Sequence, residues 1–169
     1  MANLHRVFIV EDESNTQELL CLIVADHPNL ELVATAASLK SARQNLQQYG
    51  HHTDIFLVDL GLPDGSGLDF ICNIRQQHPD VAIMVLSVFG DEHNVVKAIK
   101  HGANGYIHKD QEMDNIADHI LSVMQGEAPI SPSIAKHILN TLHIQNSPTK
   151  TNATSHTLTT RELDVSWTC

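Results

Sequence analysis

At 169 residues and a formal net charge of −10, the chain has room for one ordinary domain with some extra, and is too acidic for a general nucleic-acid surface. Its apolar content of 42% predicts a packed core rather than disorder, and Cys21, Cys72 and Cys169, odd in number and far apart, form no C-x-x-C pair and so suggest neither a disulfide framework nor a zinc site. With no apolar run of membrane-spanning length and no signal-peptide core, the expectation is a reduced, cytoplasmic protein without membrane contact.

In chain order, short apolar runs alternate with amphipathic stretches. Val7–Val10 reads as a first strand, followed by a helix that Ser14-Asn15-Thr16-Gln17 opens as a capping box and that runs towards Ala25. Leu30–Ala36 is a second strand and Ser38 to Gln48 a second helix. Ile55–Val58 is a third strand, followed by the Gly/Pro loop Leu60-Gly61-Leu62-Pro63-Asp64-Gly65-Ser66-Gly67 and a helix from Leu68 to His78. Val81–Leu86 is a fourth strand. Asp91 can cap a fourth helix carrying Val95 and Ile99 and ending at Gly102. Gly105–His108 is a fifth strand, and Glu112 to Gln125 a helix with Ile116, Ile120, Leu121 and Met124 on one face. Five strand–helix alternations predict an α/β fold, a parallel sheet covered by helices on both faces. His51-His52 falls in a loop, and the scattered histidines read as solvated surface rather than ligands.

The chemistry gathers where such sheets bind ligands, at the carboxyl ends of their strands. Glu11-Asp12 follows the first strand, Asp59 the third, Ser87 the fourth and Lys109 the fifth. Alone, each has an ordinary explanation: a cap for Asp59, a solvated lysine for Lys109, a core-edge residue for Tyr106. Together, three carboxylates on adjacent strand ends cannot all be ionised without a cation, because like charges a few ångströms apart raise each other's pKa. A hard divalent ion with oxygen ligands, Mg2+, is the expected neutraliser.

Val10-Glu11-Asp12, Val58-Asp59, Val85-Leu86-Ser87 and Gly105-Tyr106-Ile107-His108-Lys109 together resemble the motifs of two-component response-regulator receiver domains, over about residues 4–126. The resemblance implies a flavodoxin-like, doubly wound sheet of strand order 2-1-3-4-5. It implies phosphorylation of Asp59 by a sensor histidine kinase, with Mg2+ held by Glu11, Asp12, Asp59 and the Gly61 carbonyl. Lys109 and Ser87 would contact the phosphoryl group, and Tyr106 would follow Ser87 to signal occupancy towards helix four. A homodimer through the helix-four to helix-five face, or through the Ile134–Leu142 stripe, is a further expectation. Three residues depart from the commonest receiver pattern: Glu11 stands where Asp is more frequent, Val88 follows Ser87 where a smaller residue is usual, and Asp110 follows Lys109 where many receivers have proline.

Beyond Gly126 the character changes. Residues 127–143 read as a linker helix begun by Ser131-Pro132, with Ile134, Ile138, Leu139 and Leu142 on one stripe. Residues 144–157, rich in Asn, Ser, Thr and Pro, read as a flexible linker. In 158–169, Leu158-Thr159-Thr160-Arg161-Glu162-Leu163 forms a capping box with a hydrophobic staple. This segment resembles the opening of the helix-turn-helix output domain of the NarL/FixJ (LuxR-type) branch. The sequence then departs from that pattern at Ser166, so these residues are expected to supply no DNA-binding recognition helix. Two other functions compete with a transcriptional regulator. One is a stand-alone receiver that acts by protein contact or drains phosphate from a kinase. The other is a Mg2+-dependent phosphatase of the haloacid-dehalogenase type. That enzyme needs an aspartate two residues after the nucleophile, where this chain has Gly61, so an enzyme is not expected.

Overall fold

A computed structural model describes residues 3–88 and 92–145. Within them, five parallel strands form one sheet in the order β2-β1-β3-β4-β5, with β1 His5–Val10, β2 Leu30–Ala36, β3 Ile55–Asp59, β4 Ala82–Ser87 and β5 Gly105–His108. The helices are α1 Ser14–Asp26, α2 Leu39–Tyr49, α3 Gly67–Gln77, α4 Glu92–Lys100, α5 Ile116–Met124 and α6 Pro132–Gln145. The expected α/β fold and strand order are therefore present. The expected Asp91 cap, most of the linker and the capping box at 158–163 lie outside the described residues.

The strands sort their side chains by alternation, as a sheet buried on both faces requires. Phe8, Val10, Phe56, Val58, Ile83, Val85 and Tyr106 point to one face, where they pack with residues of α2, α3 and α4 and with Ile134 of α6. Val7, Ile9, Ile55, Leu57, Met84, Leu86 and Ile107 point to the other, against Leu20 and Val24 of α1 and Ile116, Ile120 and Val123 of α5. Phe8, Phe56 and Phe70 form a tilted and edge-on aromatic trio, with ring centroids 5.1 to 6.4 Å apart.

Local chemistry moves several boundaries. The cap of α1 is Glu13, whose carboxylate accepts from the amides of Asn15 (3.3 Å) and Thr16 (2.8 Å) and from the Thr16 hydroxyl. The expected Ser14 capping box gives way because a carboxylate can accept several donors at the positive helix end. The fifth helical pattern is interrupted: a single turn, Lys109–Glu112, and a 3-10 turn, Met113–Asn115, precede α5. Gly102, with φ at 106°, closes α4 as expected, its amide on the Ile99 carbonyl and that of Ala103 on Ala98.

The loop under Asp59 is fixed by close contact. Gly61–Leu62 and Gly65–Ser66 pair as a small antiparallel hairpin, and Gly67 donates its amide to Leu60 at 3.0 Å. A side chain at Gly67 would overlap the Asp59 carbonyl oxygen and approach the Leu60 Cα to 2.8 Å. Backbone atoms there have nowhere to go, so Gly67→Ala is predicted to lower stability by about 2 kcal/mol. Urea unfolding of the two proteins checks this, and an unchanged midpoint would contradict it.

Candidate phosphoryl and metal site

The parallel register assembles the site. Val10 lies opposite Val58, which carries Glu11 alongside Asp59, and Asp59 lies opposite Leu86, which places Ser87 one residue beyond. Ser87 in turn pairs with His108, so Lys109 emerges from the end of β5. Four strand ends thus deliver their polar residues to one cleft of about 490 Å³ at the carboxyl edge of the sheet. Asp12, Gly61 and Val88 also line it.

Glu11 is wholly buried and Asp59 nearly so, while Asp12 is exposed. Each offers a carboxylate oxygen, and the three oxygens lie within 4.8 Å of one another. The Lys109 ammonium stands 2.5 Å from Glu11 Oε2 and 3.0 Å from Asp59 Oδ2. Burial pushes the Glu11 carboxyl above the ordinary glutamate range, and the Asp59 charge adds to this against the Lys109 hydrogen bond. Burial alone would lower the Lys109 ammonium, but the hydrogen bond to Glu11 and the two carboxylate charges outweigh it, leaving it raised. The remaining polar contacts hold the carboxylates in place. The Glu13 amide donates to Glu11 Oε1 at 3.1 Å, and the Gly61 amide to Asp59 Oδ1 at 3.1 Å.

Three hard oxygen donors facing one lysine are a donor set that fits a divalent cation such as Mg2+, with Gly61 beside them on the cleft wall. Ser87 is nearly buried, and its hydroxyl donates to the Val88 carbonyl at 3.0 Å. Tyr106 is fully buried in the core face under α4 and α6 rather than at the cleft. Val88 is 58% exposed at the cleft mouth.

All the expected cleft residues, Glu11, Asp12, Asp59, Gly61, Ser87 and Lys109, line this one cleft. Asp64 lies apart from the carboxylate group, and its carboxylate accepts from the amides of Leu39 (2.6 Å) and Lys40 (2.9 Å), capping α2 from a distant loop. No sequence signal pointed to that bond, which spans 25 residues. Asp110 also gains an explanation. Its amide donates to His108 Nδ1 at 3.2 Å, a bond that proline at this position could not make.

Residues 7–121 match the response regulator receiver domain family. The transcriptional regulatory protein DegU of Brevibacillus brevis is 29% identical over 134 residues, covering 79% of this chain and 56% of that protein. The oxygen regulatory protein NreC of Staphylococcus carnosus is 27% identical over 164 residues, covering 95% of this chain and 74% of that protein. A crystal structure of a LuxR-family two-component response regulator from Aurantimonas sp. SI85-9A1 superposes with a TM-score of 0.74 at 25% identity, over 83% of this chain and 99% of that one. The chain thus spans little more than half the length of DegU and about three quarters that of NreC.

The Lys109 contacts lead to a pH-dependent prediction. Lys109→Met leaves the buried Glu11 charge without its cation, which should cost about 3 kcal/mol at neutral pH. Because folding raises the Glu11 pKa, its penalty is present above the folded value and vanishes below the unfolded one. The deficit of Lys109→Met should therefore shrink as pH falls towards the ordinary glutamate value of about 4.3. Urea titrations of both proteins across that range measure it, and a deficit that is constant with pH would contradict the assignment.

Proposed function

The chain belongs to the response regulator receiver domain family, and from that premise we propose that it is the phosphoryl-accepting part of a two-component signalling protein, modified on Asp59. One observation carries this reading: the Lys109 ammonium lies between Glu11 and Asp59, with Asp12 completing a three-carboxylate group at the sheet's carboxyl edge.

An Asp59 carboxylate oxygen attacks the phosphorus of a phosphohistidine on a sensor histidine kinase. The P–N bond breaks with its electron pair left on the imidazole, and a P–O bond forms, giving an acyl phosphate. Glu11, Asp12, Asp59 and the Gly61 carbonyl are the groups that would hold Mg2+, and the chemistry it supplies there is neutralisation of phosphoryl oxygen charge. Lys109, already paired with Asp59, offers its ammonium to a phosphoryl oxygen. Ser87 exchanges its present acceptor, the Val88 carbonyl, for the phosphoryl group, and Tyr106 transmits that exchange. In this reading the protein signals by changing partners rather than by turning over a substrate. It works in the cytoplasm, and these 169 residues, with a net charge of −10, make no specific DNA contact. A homodimer through the α4–α5 face has to accommodate α6, which packs on α4. The relatives' regulatory names extend the reading to transcriptional control.

Acetyl phosphate with Mg2+ should add one phosphoryl group, and Asp59→Asn should abolish the addition, as read by intact-protein mass. Labelling that persists in that variant, or that survives a chelator, would sink the assignment. The metal set makes its own prediction. Asp12→Ala should weaken Mg2+ binding at least about tenfold, while Asp64→Ala, which removes only two acceptor contacts at the start of α2, should leave it unchanged. Equal losses in a calorimetric titration would place the cation elsewhere.

A further inference from the structure

The chain after α5 holds β5 more closely than a connecting segment requires. The Pro129 carbonyl accepts from the Tyr106 amide at 2.9 Å, Ile130 bridges Tyr106 in the parallel sense, and the Ser131 amide donates to the Tyr106 carbonyl at 3.1 Å. The Ser131 hydroxyl accepts from the His108 amide at 2.9 Å, with both residues 2% exposed. Ser131 also begins α6, its carbonyl taking the Ala135 amide at 2.9 Å. In the first turn of that helix, Ile134 is buried in the same apolar cluster as Tyr106, Val95 and Ala98. Three consecutive residues therefore grip the backbone on both sides of Tyr106 and the amide immediately before Lys109.

We propose that Ser131 is a positioning residue for the phosphorylation site, and that docking of α6 and phosphorylation of Asp59 oppose each other. This rests on the reading of Asp59 as the phosphoryl acceptor. In the present geometry Lys109 pairs with Glu11 and Asp59, and Ser87 donates to its neighbour's carbonyl. A phosphoryl group bonded to one Asp59 oxygen as an acyl phosphate carries the negative charge outward, so Lys109 and Ser87 must both turn to follow it. Those two residues sit at the ends of paired strands, and β5 is only four residues long. Its displacement moves the His108 amide, whose acceptor is Ser131. A buried amide is costly to leave without an acceptor, so Ser131 either holds β5 in the unphosphorylated position or releases it together with α6. Coupling of this kind is reciprocal: what loosens α6 must favour phosphorylation to the same degree.

Hydrogen exchange read by mass spectrometry on the full chain, with intact mass to count phosphoryl groups, tests this. With acetyl phosphate and Mg2+, exchange in residues 129–142 should rise about fivefold or more on phosphorylation. Ser131→Ala should show that faster exchange before phosphorylation and reach a higher phosphorylated fraction at equal acetyl phosphate. Ser131→Thr, which keeps the hydroxyl, should restore both readouts. Ile134→Ala loosens the helix without touching the Ser131 bond and should move both in the same direction as Ser131→Ala. A phosphorylated protein whose exchange in 129–142 is unchanged would overturn the coupling while leaving the Asp59 reading intact. So would a loosened helix in Ser131→Ala or Ile134→Ala with an unaltered phosphorylated fraction. A wild-type chain that gains no phosphoryl group would overturn the Asp59 reading, and the coupling with it.

Discussion

Lys109 offsets a large electrostatic cost at the carboxyl edge of the sheet. Two like unit charges about 4 Å apart repel by about 4 kcal/mol at an effective dielectric constant of about 20, a sizeable part of the 5–15 kcal/mol that stabilises a typical domain. Glu11 and Asp59 are both buried at adjacent strand ends, and Asp12 adds a third carboxylate at the rim. One ammonium at 2.5 and 3.0 Å offsets part of that repulsion and leaves a net negative pocket. Such a pocket is open to a cation and, with the cation bound, to the negative oxygens of a phosphoryl group. The same imbalance that burdens the fold is what equips the site.

The sheet makes this placement unavoidable. Parallel strands end together, and each crossover returns the chain so that the next strand delivers its last residue to the same edge. The core fixes the spacing: the residues leading up to each polar strand end are buried on alternate faces, so none can slip by one position without turning an apolar side chain outward. The cleft residues inherit rigidity from the packing behind them, and the side that can respond is β5, an edge strand of four residues closed by Pro129–Ser131.

Much of this was legible in the sequence because it depends on local patterns. Apolar runs each ending in a polar residue located the strands and the site together, and the period of Ile116 and Ile120 marked α5. What escaped were bonds whose partners are far apart in the chain. The Asp64 cap on α2 joins a loop to a helix 24 and 25 residues away, and Ser131 meets His108 across 23. Likewise, Arg6 grips Asp54 with two bonds of 3.0 Å at the opposite end of β1 and β3, and neither residue announces the other. The Glu13 cap failed for a different reason: Ser14 is a good cap by type, and only the competition between neighbours decides which residue serves.

The claim on which the rest depends is that a covalent bond forms at one carboxylate of three. Borohydride reduces an acyl phosphate to the alcohol, converting a phosphorylated aspartate to homoserine and leaving free carboxylates untouched. After treatment of the chain with acetyl phosphate and Mg2+, tandem mass spectrometry of the reduced protein should find homoserine at position 59, with Glu11 and Asp12 unaltered. Reduction at either of those two residues instead, or a phosphorylated chain with no reduced residue at position 59, would contradict the account.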